Sequence, residues 1–128
     1  MVSKNELKIG NWLYDQNYTL FQVSSIIENG VDYDTEFGGE IHMYECNLYE
    51  NLQPVPITEE WLLKFGAKIV LVKEIKYFVI NGLSFLHNGV DGYYMGLGKG
   101  FSVYVGYVHK LQNIYYEIRG KELTLSVT

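Results

Sequence analysis

Cysteine occurs once in the 128 residues, as Cys46. One thiol closes no intramolecular disulfide, so a disulfide scaffold and a zinc ribbon are both excluded, and a reducing compartment fits. Arginine also occurs once, as Arg119. Phosphate backbones need clustered cations, and Lys64, Lys68, Lys73 and Lys76 follow one another at irregular spacing, so neither DNA nor RNA is expected as a partner. Long apolar runs are missing too. The longest aliphatic stretch is Ile69 to Val72, against the roughly 20 residues that cross a bilayer. The opening MVSKNELKIGNWL has two lysines with no apolar run behind them, so neither a secretory signal nor a membrane partner is expected, and the chain reads as cytoplasmic.

What is present is 48% hydrophobic and 20% charged, the mix of one folded domain over residues 1–128, with an acidic β-rich part at 1–52 and an α+β part at 53–128. Aromatic residues make up 16% of the chain, as 12 Tyr, 6 Phe and 2 Trp. Such residues suit the pleated surface of strands, and they also suit binding surfaces.

Turn dipeptides punctuate the second half: Asn81-Gly82, Asn88-Gly89 and Asp91-Gly92, with Asn29-Gly30 earlier. They accept the positive φ angles of tight hairpins. Between them, Ile75–Ile80, Leu83–His87, Tyr93–Leu97 and Phe101–Val105 read as an antiparallel meander. Nearer the N-terminus, Leu7–Tyr14 and Tyr18–Ile27 read as a hairpin around Asp15-Gln16-Asn17. Val31–Glu40 reads as a strand running into a loop at Gly38-Gly39, and Ile41–Tyr49 as another strand. Thr58, followed by Glu59-Glu60 and ended by Lys64-Phe65-Gly66, marks a short helix at about 59–65, with its cap, its first-turn acids and its glycine stop in place. A longer amphipathic helix at about 107–119 carries Val108, Leu111, Tyr115 and Ile118 on one face and stops at Gly120. Leu123–Val127 reads as a final strand. The fold class is α+β, mainly an antiparallel β meander with these two helices.

Charge is divided along the chain. Residues 1–63 hold two basic and eleven acidic side chains, and residues 64–128 hold eight basic and four acidic. Asp32, Asp34, Glu36 and Glu40 have no basic neighbour in sequence and form a candidate face for a basic partner. A chain with oppositely charged halves is expected to associate with itself, as a dimer or larger ring weakened by salt. A small anionic ligand is the other candidate partner, because Lys99, Lys110, Arg119 and Lys121 with Tyr93 and Tyr104 could hold phosphates and stack a base.

Searches for chemistry end early. Gly96-Leu97-Gly98-Lys99-Gly100 departs from a phosphate loop at both flanking positions, with Tyr93 in place of glycine and Gly100 in place of Ser or Thr, and reads as a hairpin tip. Asp32, Asp34 and Glu36 begin like a calcium loop, but Phe37 and Met43 break the pattern. His42, His87 and His109 fall on different expected elements, with no metal-ligand spacing. Cys46 and His42 share strand parity about 13 Å apart, too far for a thiolate–imidazole pair. The polar helix positions His109, Lys110, Asn113 and Tyr116, with Gln112 beside them, form the one cluster that invites a functional reading. No catalytic residue, metal or cofactor is assigned.

PVPITEEWLLKFG at Pro54–Gly66 and YVHKLQNIYYEIRGKELTL at Tyr107–Leu125, with ELKIGNWLY at Glu6–Tyr14, resemble a family of small uncharacterised proteins of prophages, phages and mobile elements of Bacteroidota. The likeness carries no catalytic residues to transfer. It implies a bacterial cytoplasm and the work of a phage accessory protein. The leading expectation is a non-enzymatic binding protein, in counter-defence, that holds a host protein or sequesters a signalling nucleotide. The alternatives are a virion or assembly component and a small enzyme using His109 and Tyr116.

Overall fold

The computed structural model describes residues 2–37, 40–98 and 101–125, and for residues 33–37, 40–47, 97 and 98 it describes the backbone alone. In chain order the strands are β1 Trp12–Tyr14, β2 Leu20–Gln22, β3 Ser25–Ile26, β4 Gly30–Phe37 and β5 Glu40–Leu48. Helix α1 Glu59–Lys64 follows, then β6 Lys68–Val72, β7 Ile75–Ile80, β8 Leu83–His87, β9 Tyr93–Gly98, β10 Phe101–Tyr104 and helix α2 Val108–Arg119. The architecture is α+β and mainly antiparallel, with three sheets ordered β1-β2, β3-β4-β5 and β10-β9-β8-β7-β6. Among the described residues no helix is long and apolar enough to cross a membrane.

The chain packs as two compact units, Met1–Val55 with Val108–Asn113, and Pro56–Tyr107 with Ile114–Thr128. In the first unit, Val2, Leu13, Phe21, Val23, Val31 and Leu52 form one buried cluster, against which Leu7, Ile26 and Tyr49 pack. Fully burying a side chain of this size contributes about 1.5–3 kcal/mol. The expected N-terminal hairpin is present but shorter. Gly10 takes φ +96°, and the Asn11 side chain accepts from the Lys8 amide at 2.7 Å, so the segment before Trp12 turns instead of pairing. At the hairpin tip Asp15 Oδ1 accepts from the amides of Asn17 and Thr19, and Tyr18 takes the left-handed conformation. The second strand splits at Ser24, whose amide and hydroxyl both donate to the Asp32 carbonyl and hand Ser25–Ile26 to β4. The acidic stretch after Val31 is strand, as expected, and pairs up to Phe37↔Glu40. Gly38-Gly39 lies outside the described residues.

In the second unit, α1 starts where its cap is written: Thr58 Oγ1 accepts from the Trp61 amide. It buries Trp61 and Leu62. α2 ends at Gly120, φ +70°, whose amide bonds the Tyr116 carbonyl. The five-stranded sheet is a continuous meander, closed by Asn81-Gly82 between β7 and β8. Asn88-Gly89 and Asp91-Gly92 do not make separate turns. They belong to one loop in which Asn88 Oδ1 accepts from the amides of Val90, Asp91 and Gly92. Strand β6 was not among the expected elements. It is joined to β7 by Lys73-Glu74, both at positive φ, a hairpin turn without glycine or asparagine. The expected last strand is absent at Leu123–Leu125, which is irregular although Leu123 is buried; its remaining positions lie outside the described residues.

Alternation divides the sheet into two faces. Phe78, Ile80, Leu83, Phe85, Tyr93 and Met95 are buried on the inner face. Glu59 of α1 holds Lys76 on this face, and Lys76 lies over the Phe78 ring. The other face carries Val70, Tyr77, Val79, Ser84, Leu86, Tyr94, Gly96, Ser102 and Tyr104, matched across strands as Val70↔Tyr77, Val79↔Ser84, Leu86↔Tyr94 and Gly96↔Ser102.

Candidate functional site

The polar positions of α2 are committed to structure. His109 and Gln112 are buried, with His109 at 0% exposure. The Gln112 amide is held at both ends: Oε1 accepts from the Trp12 amide at 2.9 Å, and Nε2 donates to the Gly10 carbonyl at 2.9 Å. Asn113 Oδ1 accepts from Asn11 Nδ2 at 2.9 Å, and its Nδ2 donates to the Glu6 carbonyl at 2.7 Å. These bonds take the place of strand pairing for the segment Glu6–Trp12, which explains the run of amides without invoking a ligand. His109 Nε2 lies 3.4 Å from Glu6 Oε1. Burial pushes the imidazole below its usual pKa, while the Glu6 carboxylate works in the other direction. A side chain this enclosed cannot meet a substrate, and Tyr116, exposed, stands two helical turns further on, about 10 Å along the axis. The pairing of His109 with Tyr116 as catalytic groups is therefore not formed.

The remaining candidates scatter. Lys110 is exposed on α2. Arg119 Nε donates to the Asn81 carbonyl at 3.0 Å, which ties the end of α2 to the β7–β8 turn. Tyr93 is buried between His87 and Phe78 at ring distances of 5.0 and 6.0 Å, and its hydroxyl pKa is raised by that burial, with Glu59 adding to it. It is a core residue. Tyr104 alone among the named aromatics reaches the open face, where its hydroxyl donates to the Asp91 carbonyl at 3.1 Å. Lys99 lies outside the described residues. Asp32 accepts from the Ser25 hydroxyl. Asp34 and Glu36 take positions on β4, and Glu40 opens β5. The calcium-like start thus lies on strand β4 and not in a loop.

The open face of the five-stranded sheet is the feature that spacing did not single out. A groove of about 280 Å³ runs over it, lined by Tyr77, Ser84, Leu86, Asn88, Tyr94, Gly96 and Ser102. Ser84, Gly96 and Ser102 make a low floor, and Tyr77, Leu86 and Tyr94 stand around it. Tyr94 packs on Tyr104 with ring centroids 5.3 Å apart and donates to Asp91 Oδ2 at 3.3 Å. Desolvation and that carboxylate raise its hydroxyl pKa. Tyr104 in turn is seated on Gly106, where an added Cβ would collide with its ring. Towards the sheet edge, Val70, Val72 and Ile75 stay exposed. The signal that finds these residues is strand parity: Tyr94, not Tyr93, shares a face with Tyr77 and Tyr104.

A second cavity of about 350 Å³ lies at the end of α2, lined by Phe65, Gly66, Ile80, Asn81, Tyr115, Lys121, Glu122, Leu123 and Thr124. Asn81 Nδ2 donates to the Tyr115 hydroxyl there. Lys121, the cation among these lining residues, is matched by Glu122, so the lining carries no net positive charge for an anion.

No family model, curated protein or solved structure matches the chain. Its function is read from its own surface.

Proposed function

We propose that the chain is a non-enzymatic binding protein of phage or mobile-element type that grips a host protein through the open face of its five-stranded sheet. The observation that carries this reading is the groove: a floor of small residues between tyrosine and leucine walls, on a sheet face left open to solvent. Rigid tyrosines around a small apolar depression supply contact area at low entropic cost and accept a partner's aliphatic or aromatic anchor. A nucleotide fits less well. Its phosphates would need cations beside the base, and among the described residues that line the groove there is no Lys or Arg, while Arg119 is held at the β7–β8 turn. The likeness of three sequence stretches to phage and mobile-element proteins supports a host protein as the partner, and counter-defence as the setting.

The test is photo-cross-linking in a Bacteroidota host from an unnatural residue at Tyr77, followed by calorimetry of the purified cross-linked protein against the wild type and Gly96→Val. The reading expects one-to-one binding that weakens about tenfold or more when the floor is filled. Equal affinity for both proteins overturns it. Heat from a panel of cyclic nucleotides and ADP-ribose derivatives that disappears in Gly96→Val would replace the host protein by a nucleotide.

A further inference from the structure

Strand β6 ends the five-stranded sheet, and all five of its residues, Lys68–Val72, are exposed. Four are aliphatic, with Leu71 at 69% exposure. A proline-free apolar edge of this kind is a template for another strand. Its outward groups follow from its turn. Because two residues, Lys73 and Glu74, close the β6–β7 hairpin, Val72↔Ile75 is the first hydrogen-bonded pair, and the pattern returns at Val70↔Tyr77 and Lys68↔Val79. The N–H and C=O groups of Ile69 and Leu71 therefore aim away from β7, at the sheet's edge.

We infer that β6 pairs with β6 of a second copy of this chain, antiparallel about a two-fold axis through Val70, so that two five-stranded sheets continue into one. The strand's own sequence selects this occupant. Centred on Val70, Ile69 of each copy meets Leu71 of the other in a hydrogen-bonded pair, which makes four backbone bonds, and Val70 meets its counterpart across the axis. Lys68 falls opposite Val72 of the second copy, the last residue of its strand. No two like charges face each other. Centring on Leu71 instead would set Ile69 against Lys73, whose φ of +51° cannot continue a strand. Centring on Ile69 leaves Val72 facing Gly66, beyond the end of β6. The unit that carries the sheet has seven basic and six acidic side chains and is close to neutral, so repulsion between two copies comes from the acidic first unit and is screened by salt.

The contact is one short strand wide, so the dimer is weak and concentration-dependent, and being apolar it persists in salt. Sedimentation equilibrium from about 5 to 500 µM, at low and high salt, is expected to show monomer and dimer in exchange. Val70→Lys puts two ammonium groups on the axis and is expected to shift dissociation at least tenfold towards monomer, with an unchanged circular dichroism spectrum because Val70 is exposed. In a Cys46→Ser background, Val70→Cys is expected to form an inter-chain disulfide under mild oxidation, since non-hydrogen-bonded partners lie about 4.5 Å apart at Cα. Ile69→Cys, whose partner is Leu71, is expected to cross-link poorly. A monomer throughout the range, a dimer indifferent to Val70→Lys, or equal cross-linking from both cysteines overturns the assignment. Because Val70 shares the open face with Tyr77, the dimer is separated from partner binding with Ile69→Pro, which removes an outward N–H at the edge and leaves the groove lining unchanged: it is expected to weaken the dimer and to keep the partner affinity that Gly96→Val loses.

Discussion

His109 shows how a residue's chemistry is decided by where it packs. On a helical wheel it belongs to a polar face with Asn113 and Tyr116, yet it is fully buried beside Glu6. With its pKa held below the usual 6.5 by burial, the folded state favours the neutral ring. The stability this provides is complete above pH 6.5 and declines as pH falls from there towards the lowered folded value, because the unfolded chain takes up the proton first. Chemical denaturation at several pH values should therefore show the stability gap between wild type and His109→Gln narrowing as pH drops through 6.5, with Glu6 and Lys110 the charged neighbours in both proteins. Parallel curves would remove the linkage. Gly96 makes the opposite kind of prediction. Nothing lies within 4 Å of a Cβ added there, and glycine weakens a strand, so Gly96→Val should raise stability by about 0.5–1 kcal/mol while it fills the groove. A more stable protein that binds its partner less well separates function from folding. None of this was legible residue by residue: Tyr93 and Tyr94 look alike in sequence, and only the paired register tells which one is core.

At the level of elements, the parts that could be read were those whose ends are chemically marked. Thr58, Glu59-Glu60 and Gly66 bound α1, Gly120 stops α2, and Asn81-Gly82 closes β7 to β8. Strand β6 escaped because its turn, Lys73-Glu74, uses residues that adopt positive φ only at a cost. Replacing the pair by Asn-Gly should stabilise the protein by about 1–2 kcal/mol, seen as a higher urea midpoint at unchanged slope. No change would mean that the left-handed turn is not the strained feature. Gly106 should behave the other way. Its Cβ would enter the Tyr104 ring, so Gly106→Ala should destabilise by about 1–3 kcal/mol and displace Tyr104 from Tyr94, quenching the ring contact that borders the groove. The N-terminal strands were over-read because Asn11 and Asn113 supply the hydrogen bonds that pairing would have made, a substitution that no local pattern announces.

At the scale of the whole molecule, the electrostatic division looks weaker in space than along the chain. Lys110 falls in the first unit, while Glu59 and Glu60 fall in the second, so the units carry three basic against nine acidic and seven basic against six acidic side chains. The first stays acidic, but the second is nearly neutral. Self-association driven by opposed halves would fade as salt is added, whereas strand pairing at β6 would not, and sedimentation at low and high salt separates the two. The acidic unit remains suited to a basic surface on a partner, which would steer encounter more than fix affinity. The most direct test of the account is the calorimetric affinity of the host protein captured from Tyr77, measured with wild type and with Gly96→Val at equal or greater thermal stability. The account predicts at least tenfold weaker binding by the filled groove; an undiminished affinity would contradict it.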